Sequence, residues 1–410
     1  MVQNDTGNEP TSVTVTVPQS TPGFSILSAN RGDFWVGIDG QGLNLNQGIL
    51  LATVRNNGRD NGDGFGTRYG TVEATTDPWG GTNTWLAVNP AGNDNNTGDE
   101  LNIDLAAAWF PFAGDWTGAH VDVVSGSGVI RASSLDISSS NLTRTGTGVW
   151  RLNLPGVDTR SGGLVFANGG SNTNNFAAAG ALADGSQFEI QLRDNWTSGL
   201  EDGPLSLLYL PYDTANVVMG RISGLGGIYN RSGDFTIRRT GTGTFRLSIP
   251  GQTPETGMLL LTSDATSIAS DNIISYQADG NDFVIQSRDI NNNEPPWLQD
   301  IGAAPAFSFA FIPFANPPVV PGGRSFNASS QVAAANIRVI EYGSGDAGEN
   351  LHVEVTEGTG YLTTPLWTKG DYQVYQNGAP IPASAGVMLA SVRENGRDNP
   401  PSASDTRYAI

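Results

Sequence analysis

Internal repetition is the feature that most constrains the fold of this 410-residue chain. The phrase VRNNGRDN at Val54 returns as VRENGRDN at Val392, and GDFWV and GDYQV stand at matching positions upstream of the two phrases. Sequence self-similarity over a fixed spacing is the mark of a repeat architecture. Residues 12–70 and 350–408 are therefore predicted to be two copies of one module.

A second pair of copies lies between them. RTGTGVWRLNLPG at Arg144 matches RTGTGTFRLSIPG at Arg239, and FEIQLRD at Phe188 matches FVIQSRD at Phe283. A stretch rich in Pro, Gly and Ser follows the second copy and is typical of a linker. The predicted organisation is module A (1–115), module B (116–215), module C (216–316), a linker (317–335) and a partial A-like module (336–410).

Each module alternates short runs of β-branched and aromatic residues with Gly, Asp, Asn and Pro. In module C these runs include DFTIRR, TFRLSI, MLLLT and DFVIQSR. About six to eight such runs in about 100 residues is the pattern of an antiparallel β-sandwich. The predicted fold class is all-β, with tandem antiparallel β-sandwich modules in a row. QVAAANIRVIEY, near the end of the linker, is the one helical candidate.

Composition excludes several classes of function. The formal net charge of −19, with no basic run, argues against nucleic acid as a partner, and no apolar run is long enough for membrane insertion. The chain has no Cys, so disulfides, thiol nucleophiles and Cys-ligated metals are excluded. The first ten residues are polar and lack the features of a signal peptide.

The order of motifs in modules B and C supports a family resemblance. The progression GDFT, RTGTGTFRLSIPG, GMLLLT, FVIQSRD and FSFAFIPF resembles the tandem β-sandwich modules of large secreted bacterial repeat proteins of uncharacterised function. More distantly, it is similar to the C-terminal modules of collagen-like and tail-fibre-like proteins, which have been compared with H-type lectins. The resemblance implies a secreted protein at the cell surface, and it carries no family site residue.

No catalytic constellation is recognisable. The only two His residues are His120, at the junction of modules A and B, and His352, which corresponds to Thr14 in the first copy. No G-x-S-x-G elbow accompanies either His, and no pair of carboxylates stands apart from the rest. No catalytic residue is therefore assigned, and the protein is not expected to be an enzyme.

Two Gly-containing loops of module A are candidates for calcium, because they combine carboxylates with amide oxygens. Asp60 and Asp63 lie in the first loop, and Asp94 and Asp99 lie in the second. The copy of the first loop keeps Asp398 but has Pro401 in place of the second carboxylate. We favour hydrogen-bonded turns over calcium there, and no other cofactor is expected.

Aromatic residues offer a second kind of site. The endings WFPF at Trp109, YLPY and FIPF recur in all three modules, so they are expected to close the module cores. Trp79, Trp85 and Trp116 do not recur in modules B and C. They are therefore the candidates for an exposed surface that contacts glycans.

The ends of the chain suggest self-assembly. In module A, several strand-like runs follow TRY at Thr67, whereas the last copy stops at Ile410 soon after the same phrase. A sandwich that lacks strands exposes unpaired backbone. Either the natural chain continues, or residues 336–410 of one copy pack on the N-terminal region of the next, head to tail. The residues expected at that contact are Asn336, Ile337, Val339, Ile340, Tyr408 and Ile410.

Two functions remain at this stage. A structural subunit of a surface fibre is preferred, because repetition and strand patterning dominate the sequence. A lectin-like or adhesive glycan-binding protein is the alternative.

Overall fold

The fold is all-β, as predicted. A computed structural model describes residues 12–30, 32–56, 59–60, 67–76, 84–91, 103–170, 174–291, 294–319, 332–342, 361–365, 372–376 and 379–380. These residues form 31 strands and three short 3-10 turns, at Leu45–Gln47, Phe112–Gly114 and Ile268–Asp271. None of the helical turns in these ranges has the length or apolar character needed to cross a membrane.

The strands are numbered in chain order. Module A contains β1 (Ser12–Ser20), β2 (Phe24–Asn30), β3 (Asp33–Ile38), β4 (Gln41–Gly42), β5 (Gly48–Val54), β6 (Arg59–Asp60), β7 (Thr67–Arg68), β8 (Gly70–Thr76), β9 (Thr84–Pro90) and β10 (Leu105–Pro111). Module B contains β11 (Thr117–Val124), β12 (Ser127–Ser133), β13 (Leu142–Gly146), β14 (Val149–Leu152), β15 (Gly163–Gly169), β16 (Asn175–Ala181), β17 (Phe188–Asp194) and β18 (Leu205–Pro211).

Module C contains β19 (Val218–Ser223), β20 (Ile228–Ser232), β21 (Thr236–Gly241), β22 (Thr244–Ser248), β23 (Gly257–Ser263), β24 (Asn272–Asp279), β25 (Asp282–Asn291), β26 (Glu294–Leu298) and β27 (Pro305–Pro313). The remaining strands are β28 (Ala333–Tyr342), β29 (Tyr361–Pro365), β30 (Tyr372–Gln376) and β31 (Ala379–Pro380).

Modules B and C have the same strand order, in agreement with their repeated sequence. The two sheets of module B are β12-β11-β18-β15 and β13-β14-β17-β16, and those of module C are β20-β19-β27-β23 and β21-β22-β25-β24. Trp150 pairs with Ile190 in module B, and Phe245 pairs with Ile285 at the matching place in module C. The large buried ring in each case fills the space between the two sheets.

Module A has the same two sheets with one substitution of strands. Its sheets are β2-β3-β9-β8, with β4 at the side of β3, and β1-β28-β10-β5. Strands β1, β10 and β5 stand where module B has β12, β18 and β15. The place of β11, the first strand of module B, is taken by β28, which pairs antiparallel with β1 and β10.

The three modules do not stand in a row, which corrects that part of the fold prediction. In one sheet of each module two strands are buried on both faces, namely β5 and β10, β15 and β18, and β23 and β27. The second face of these strands contributes to a single core shared by all three modules. The shared core includes Ile49, Leu51 and Phe110 from module A, Phe166, Leu208 and Leu210 from module B, and Met258, Leu260 and Ile312 from module C. Strands that are apolar on both faces require cover on both faces, and a row would leave one of them in water.

Each pair of modules is also joined by polar contacts. Asn168 of module B exchanges two hydrogen bonds with the backbone of Ala52 in module A, at 2.9 and 3.0 Å. Strands β16 and β23 form a parallel bridge between Ala178 and Ser263, which joins modules B and C. Arg55 of module A forms a parallel bridge with Tyr276 of module C. Modules A and C therefore touch directly, although module B separates them in sequence.

The compact unit that holds modules A, B and C extends from Ser12 to Tyr342. Its last strand, β28, begins inside the predicted linker (317–335) and continues into the predicted partial module (336–410). The backbone pairs of β28 with β1 and β10 place residues 333–342 with module A. Residues 343–410 belong to a second unit, in which β29, β30 and β31 form an antiparallel sheet.

Candidate assembly site

The predicted calcium ligands are mostly outside the described residues. Asp60 lies in β6, where its backbone pairs with Thr67 of β7. Asp63, Asp94 and Asp99 fall outside the described ranges. Among the side chains that the structure describes, no group of three or more His, Cys, Asp or Glu residues is placed to hold a metal ion.

The candidate glycan-contact tryptophans have different environments. Trp79 lies outside the described residues. Trp85 is half-buried and stacks on Trp35, with ring centroids 5.9 Å apart and planes 16° apart. Trp116 was expected at the surface and is buried, with its ring edge-on to Phe110 at 5.2 Å, so this expectation was wrong. The shared core takes Trp116 because it lies directly before β11, whose sheet packs against module A.

His120 is buried at the junction of modules A and B, where both ring nitrogens have hydrogen-bond partners. Its Nε2 lies 2.8 Å from the carbonyl oxygen of Gly48, and its Nδ1 lies 2.7 Å from the hydroxyl of Ser206. The carbonyl can only accept, so Nε2 carries the proton and Nδ1 accepts from Ser206. Burial lowers the pKa of His120 to about 4, although the Gly48 hydrogen bond acts in the opposite direction. The ring is therefore neutral at neutral pH.

The predicted assembly segment is the strand that completes module A. In the backbone ladder of β28, Ile337 pairs with Leu105, Val339 with Val15, and Ile340 with Thr14. Tyr408 and Ile410, the other two residues expected at this contact, lie outside the described residues. Residues 333–342 thus close the gap between β1 and β10, and we call this position the complemented slot.

Asn336 anchors the complemented slot at its centre. The side chain is fully buried, and its Nδ2 donates to Gln19 Oε1 and to the carbonyl oxygen of Pro254, both at 3.0 Å. Gln19 belongs to β1, whereas Pro254 belongs to module C. One amide group therefore fixes β28 to the first strand of module A and to module C at once.

The entrance of β28 is held by a second set of hydrogen bonds. Thr21 donates its N–H to the carbonyl oxygen of Ala334 at 2.8 Å, and the Ala334 N–H donates to Thr21 Oγ1 at 3.0 Å. Ala333 and Ala335 face the core of module A, while Ala334 faces the shared core. Small side chains are needed here because β28 lies between two packed layers.

Sequence reasoning missed an Arg–Asp contact that occurs once in module B and once in module C. Arg144 donates to both carboxylate oxygens of Asp202, and the N–H of Gly148 donates to Asp202 Oδ1 at 2.8 Å. The bonds from Arg144 are the main reason that the pKa of Asp202 is lowered. Arg239, Gly243 and Asp300 repeat the arrangement in module C.

The repeated RTGTG phrase was the available signal for this contact. Its Arg and its second Gly are the two residues that the carboxylate holds. The Asp residues were missed because the segments that precede β18 and β27 differ in length, so Asp202 and Asp300 do not share the offset of the other motifs. In both modules the carboxylate holds the Arg side chain and the Gly N–H of the same turn, so the contact is a turn clamp.

Comparisons with protein-family models, curated proteins and solved structures give no match for this chain. The complemented slot is therefore interpreted from its own geometry.

Proposed function

We propose that this protein is a structural subunit of an extracellular fibre, in which copies assemble head to tail by exchanging β28. The observation that carries the proposal is the complemented slot: β28 takes the position in module A that β11 takes in module B. Modules B and C receive this strand from their own sequence, whereas module A receives it from residues 333–342.

Because β28 comes from a distant part of the chain, the β28 of a second copy could fill the same position in module A. The contacts of β28 with β1 and β10 are backbone ladders, and such ladders are the basis of strand addition between chains. When the strand of one copy enters the slot of the next, the contact is heterologous, and it repeats without closing if the rotation does not return to the start. The same contacts that close one chain would then build a filament.

Cysteine pairs across the slot test this exchange, because the chain has no native Cys. Ser20 and Ala335 are direct partners in the β1–β28 ladder. We expect Ser20→Cys and Ala335→Cys chains, unfolded together, refolded and oxidised, to give disulfide-linked dimers. In the double variant, oxidised as a monomer, the disulfide should hold β28 in its own module A. Electron microscopy should then show no filaments until the disulfide is reduced.

Module B offers a matched control at the equivalent place. Ala119 of β11 and Ser133 of β12 are also direct partners, but both belong to one local hairpin. Mixed single Ala119→Cys and Ser133→Cys chains should not cross-link. If the Ser20→Cys and Ala335→Cys mixture also stays monomeric at every protein concentration, β28 does not exchange and the proposal fails.

A lectin-like function is the second candidate, and the stacked pair of Trp35 and Trp85 favours it. Stacked indoles on a sheet are a surface on which a sugar ring could pack. A glycan array decides between the two functions: reproducible binding that Trp85→Ala removes, together with an absence of filaments, would favour the lectin.

A further inference from the structure

A group of acceptor oxygens without donors lies in module C, where β24 and β25 pair. Asn272 begins β24, is fully buried, and stands directly opposite Asp289 of β25. Its Nδ2 donates to Ser287 Oγ at 2.8 Å, while no group among the described residues donates to its Oδ1. Residues directly opposite each other in an antiparallel pair project from the same face of the sheet, so Asn272 and Asp289 point to the same side.

Two further side chains, those of Gln299 and Asp271, also have a buried acceptor oxygen that receives no hydrogen bond within the described ranges. Gln299 donates its Nε2 to Asp289 Oδ2 at 2.9 Å, yet its buried Oε1 has no partner in the part of the chain that the structure describes. Asp271 directly precedes Asn272, and its buried Oδ1 likewise accepts no hydrogen bond from any described residue. We call Asp271, Asn272, Asp289 and Gln299 together the oxygen cluster.

The charges around the oxygen cluster do not balance. Burial, followed by the nearby charge of Asp271, raises the pKa of Asp289 to about 6. Burial lowers the pKa of Arg193 of module B, and the nearby charge of Asp271 acts in the opposite direction. The N–H groups of Arg193, however, donate to Gln191, to the carbonyl oxygen of Ser198 and to Ser270 Oγ. A buried acceptor without a donor destabilises the folded protein, because it has lost its hydrogen bonds to water and gained none in return.

We propose that the oxygen cluster binds one calcium ion. Calcium prefers carboxylate and carboxamide oxygens in a flexible shell completed by water, and the cluster presents two carboxylates and two carboxamides. A cation would satisfy several acceptors at once and would offset the repulsion between Asp271 and Asp289. This site is separate from the two loops of module A in which the sequence suggested calcium.

Of modules B and C, we expect the calcium site in module C only, because the equivalent carboxylate of module B has other partners. Asn175 stands opposite Asp194 there, as Asn272 does opposite Asp289. However, Asp194 Oδ1 accepts the backbone N–H groups of Trp196 and Thr197, at 2.9 and 2.5 Å. The Asp194 carboxylate is therefore already used in a turn, whereas among the described residues the Asp289 carboxylate accepts from the Gln299 side chain and from no backbone N–H.

Terbium luminescence provides the test, because Trp297 is the ladder partner of Asp289 and can transfer energy to a bound lanthanide. With the full chain, we expect saturable terbium luminescence under tryptophan excitation, which calcium displaces and an equal concentration of magnesium displaces far less. Asp289→Asn and Asp271→Asn should each lower the signal at least tenfold. Trp297→Phe should lower the tryptophan-excited signal and preserve the signal obtained by direct terbium excitation.

Asp184→Asn is the control, since Asp184 lies on an exposed turn and bonds only to Ser186 among the described residues. This variant should keep the full signal. Calcium should also raise the melting temperature of the wild type and not that of Asp289→Asn, and circular dichroism checks that the variants fold. A wild type without saturable luminescence, or a signal that survives in both carboxylate variants, would overturn the site.

Discussion

The side-chain amide of Asn336 donates a hydrogen bond to the carboxamide oxygen of Gln19, which lies 317 residues earlier in the chain, at a distance of 3.0 Å. Its second hydrogen bond goes to the carbonyl oxygen of Pro254. Asn336 thereby joins the strand that completes module A to module C. The contact holds β28 against β1 although the two strands are far apart in the sequence.

Asn336→Ala should destabilise the protein by about 2–3 kcal/mol, because two buried hydrogen bonds are lost and the Pro254 carbonyl is left without a donor. Urea unfolding followed by tryptophan fluorescence measures this change. Asn153→Ala is the control, because Asn153 is exposed, and its effect should stay within about 0.5 kcal/mol. Equal effects of the two substitutions would contradict the anchoring role of Asn336.

Arg221→Gln should cost about 3–5 kcal/mol, because it leaves the fully buried Asp264 without its ion-pair partner. Arg221 Nε lies 2.7 Å from Asp264 Oδ2, and its guanidinium also reaches the carbonyl oxygen of Ala181 in module B. Arg131→Gln is the matched control, since Arg131 is 56% exposed and pairs with Asp122 at the surface. That pair should contribute about 0–1 kcal/mol in the same unfolding experiment.

Acidification should weaken the junction of modules A and B through His120. Its pKa in the folded protein, about 4, lies below the ordinary value of 6.5, so the unfolded chain binds the proton more readily. The stability associated with neutral His120 is complete above pH 6.5 and is lost as the pH falls toward 4, by about 3 kcal/mol. Unfolding free energies of wild type and His120→Gln at several pH values measure this difference.

Asp289 affects the pH dependence of stability in the opposite direction, because its pKa is raised to about 6 in the folded protein. Its contribution to stability grows as the pH falls from 6 toward 4. Both proteins in the His120 experiment contain Asp289, so its contribution cancels in their difference. If wild type and His120→Gln show the same pH dependence, the assigned role of His120 is wrong.

Gly148→Ala should cost about 2–4 kcal/mol, because Gly148 has a φ of +63° and an added Cβ would lie 2.5 Å from the carbonyl oxygen of Leu192. Gly243, its counterpart in module C, has a φ of +52° and the same approach to the Ser287 carbonyl, so Gly243→Ala should cost as much. Gly156→Ala is the control, because its φ of +78° is also positive but nothing lies within 4 Å. Gly156→Ala should lower the free energy of unfolding by about 1–2 kcal/mol. Thermal unfolding of the three variants and the wild type measures these differences.

Strands such as β14 and β22 in modules B and C are predictable from the sequence because they bury alternate residues. In β22, Phe245 and Leu247 are buried while Arg246 between them is half-exposed, which is the period of two expected of a strand with one face inward. The turns between strands use Gly at positive φ, as at Gly148. These features are local, so the module repeat and the all-β fold follow from short stretches of the chain.

The Ala-rich segment at 333–335 shows where local reasoning ends. Alanine favours helix, and QVAAANIRVIEY was the one helical candidate, yet residues 333–342 form β28 because β1 and β10 offer backbone partners on both sides. Backbone N–H and C=O groups are alike at every residue except proline, which has no N–H. No sequence pattern therefore states which module a strand will complete.

Strand period, turn positions and the repeat relation between modules B and C can be recognised in short stretches of sequence, so they could be predicted from the sequence. The shared core, the complemented slot and the oxygen cluster depend on residues that folding brings together from distant segments, such as Gln19 with Asn336. A strand that is apolar on both faces must be covered on both faces, but its sequence does not say which other segment covers it. Only the packing of whole modules decides that, because burial is non-directional and accepts any complementary apolar surface.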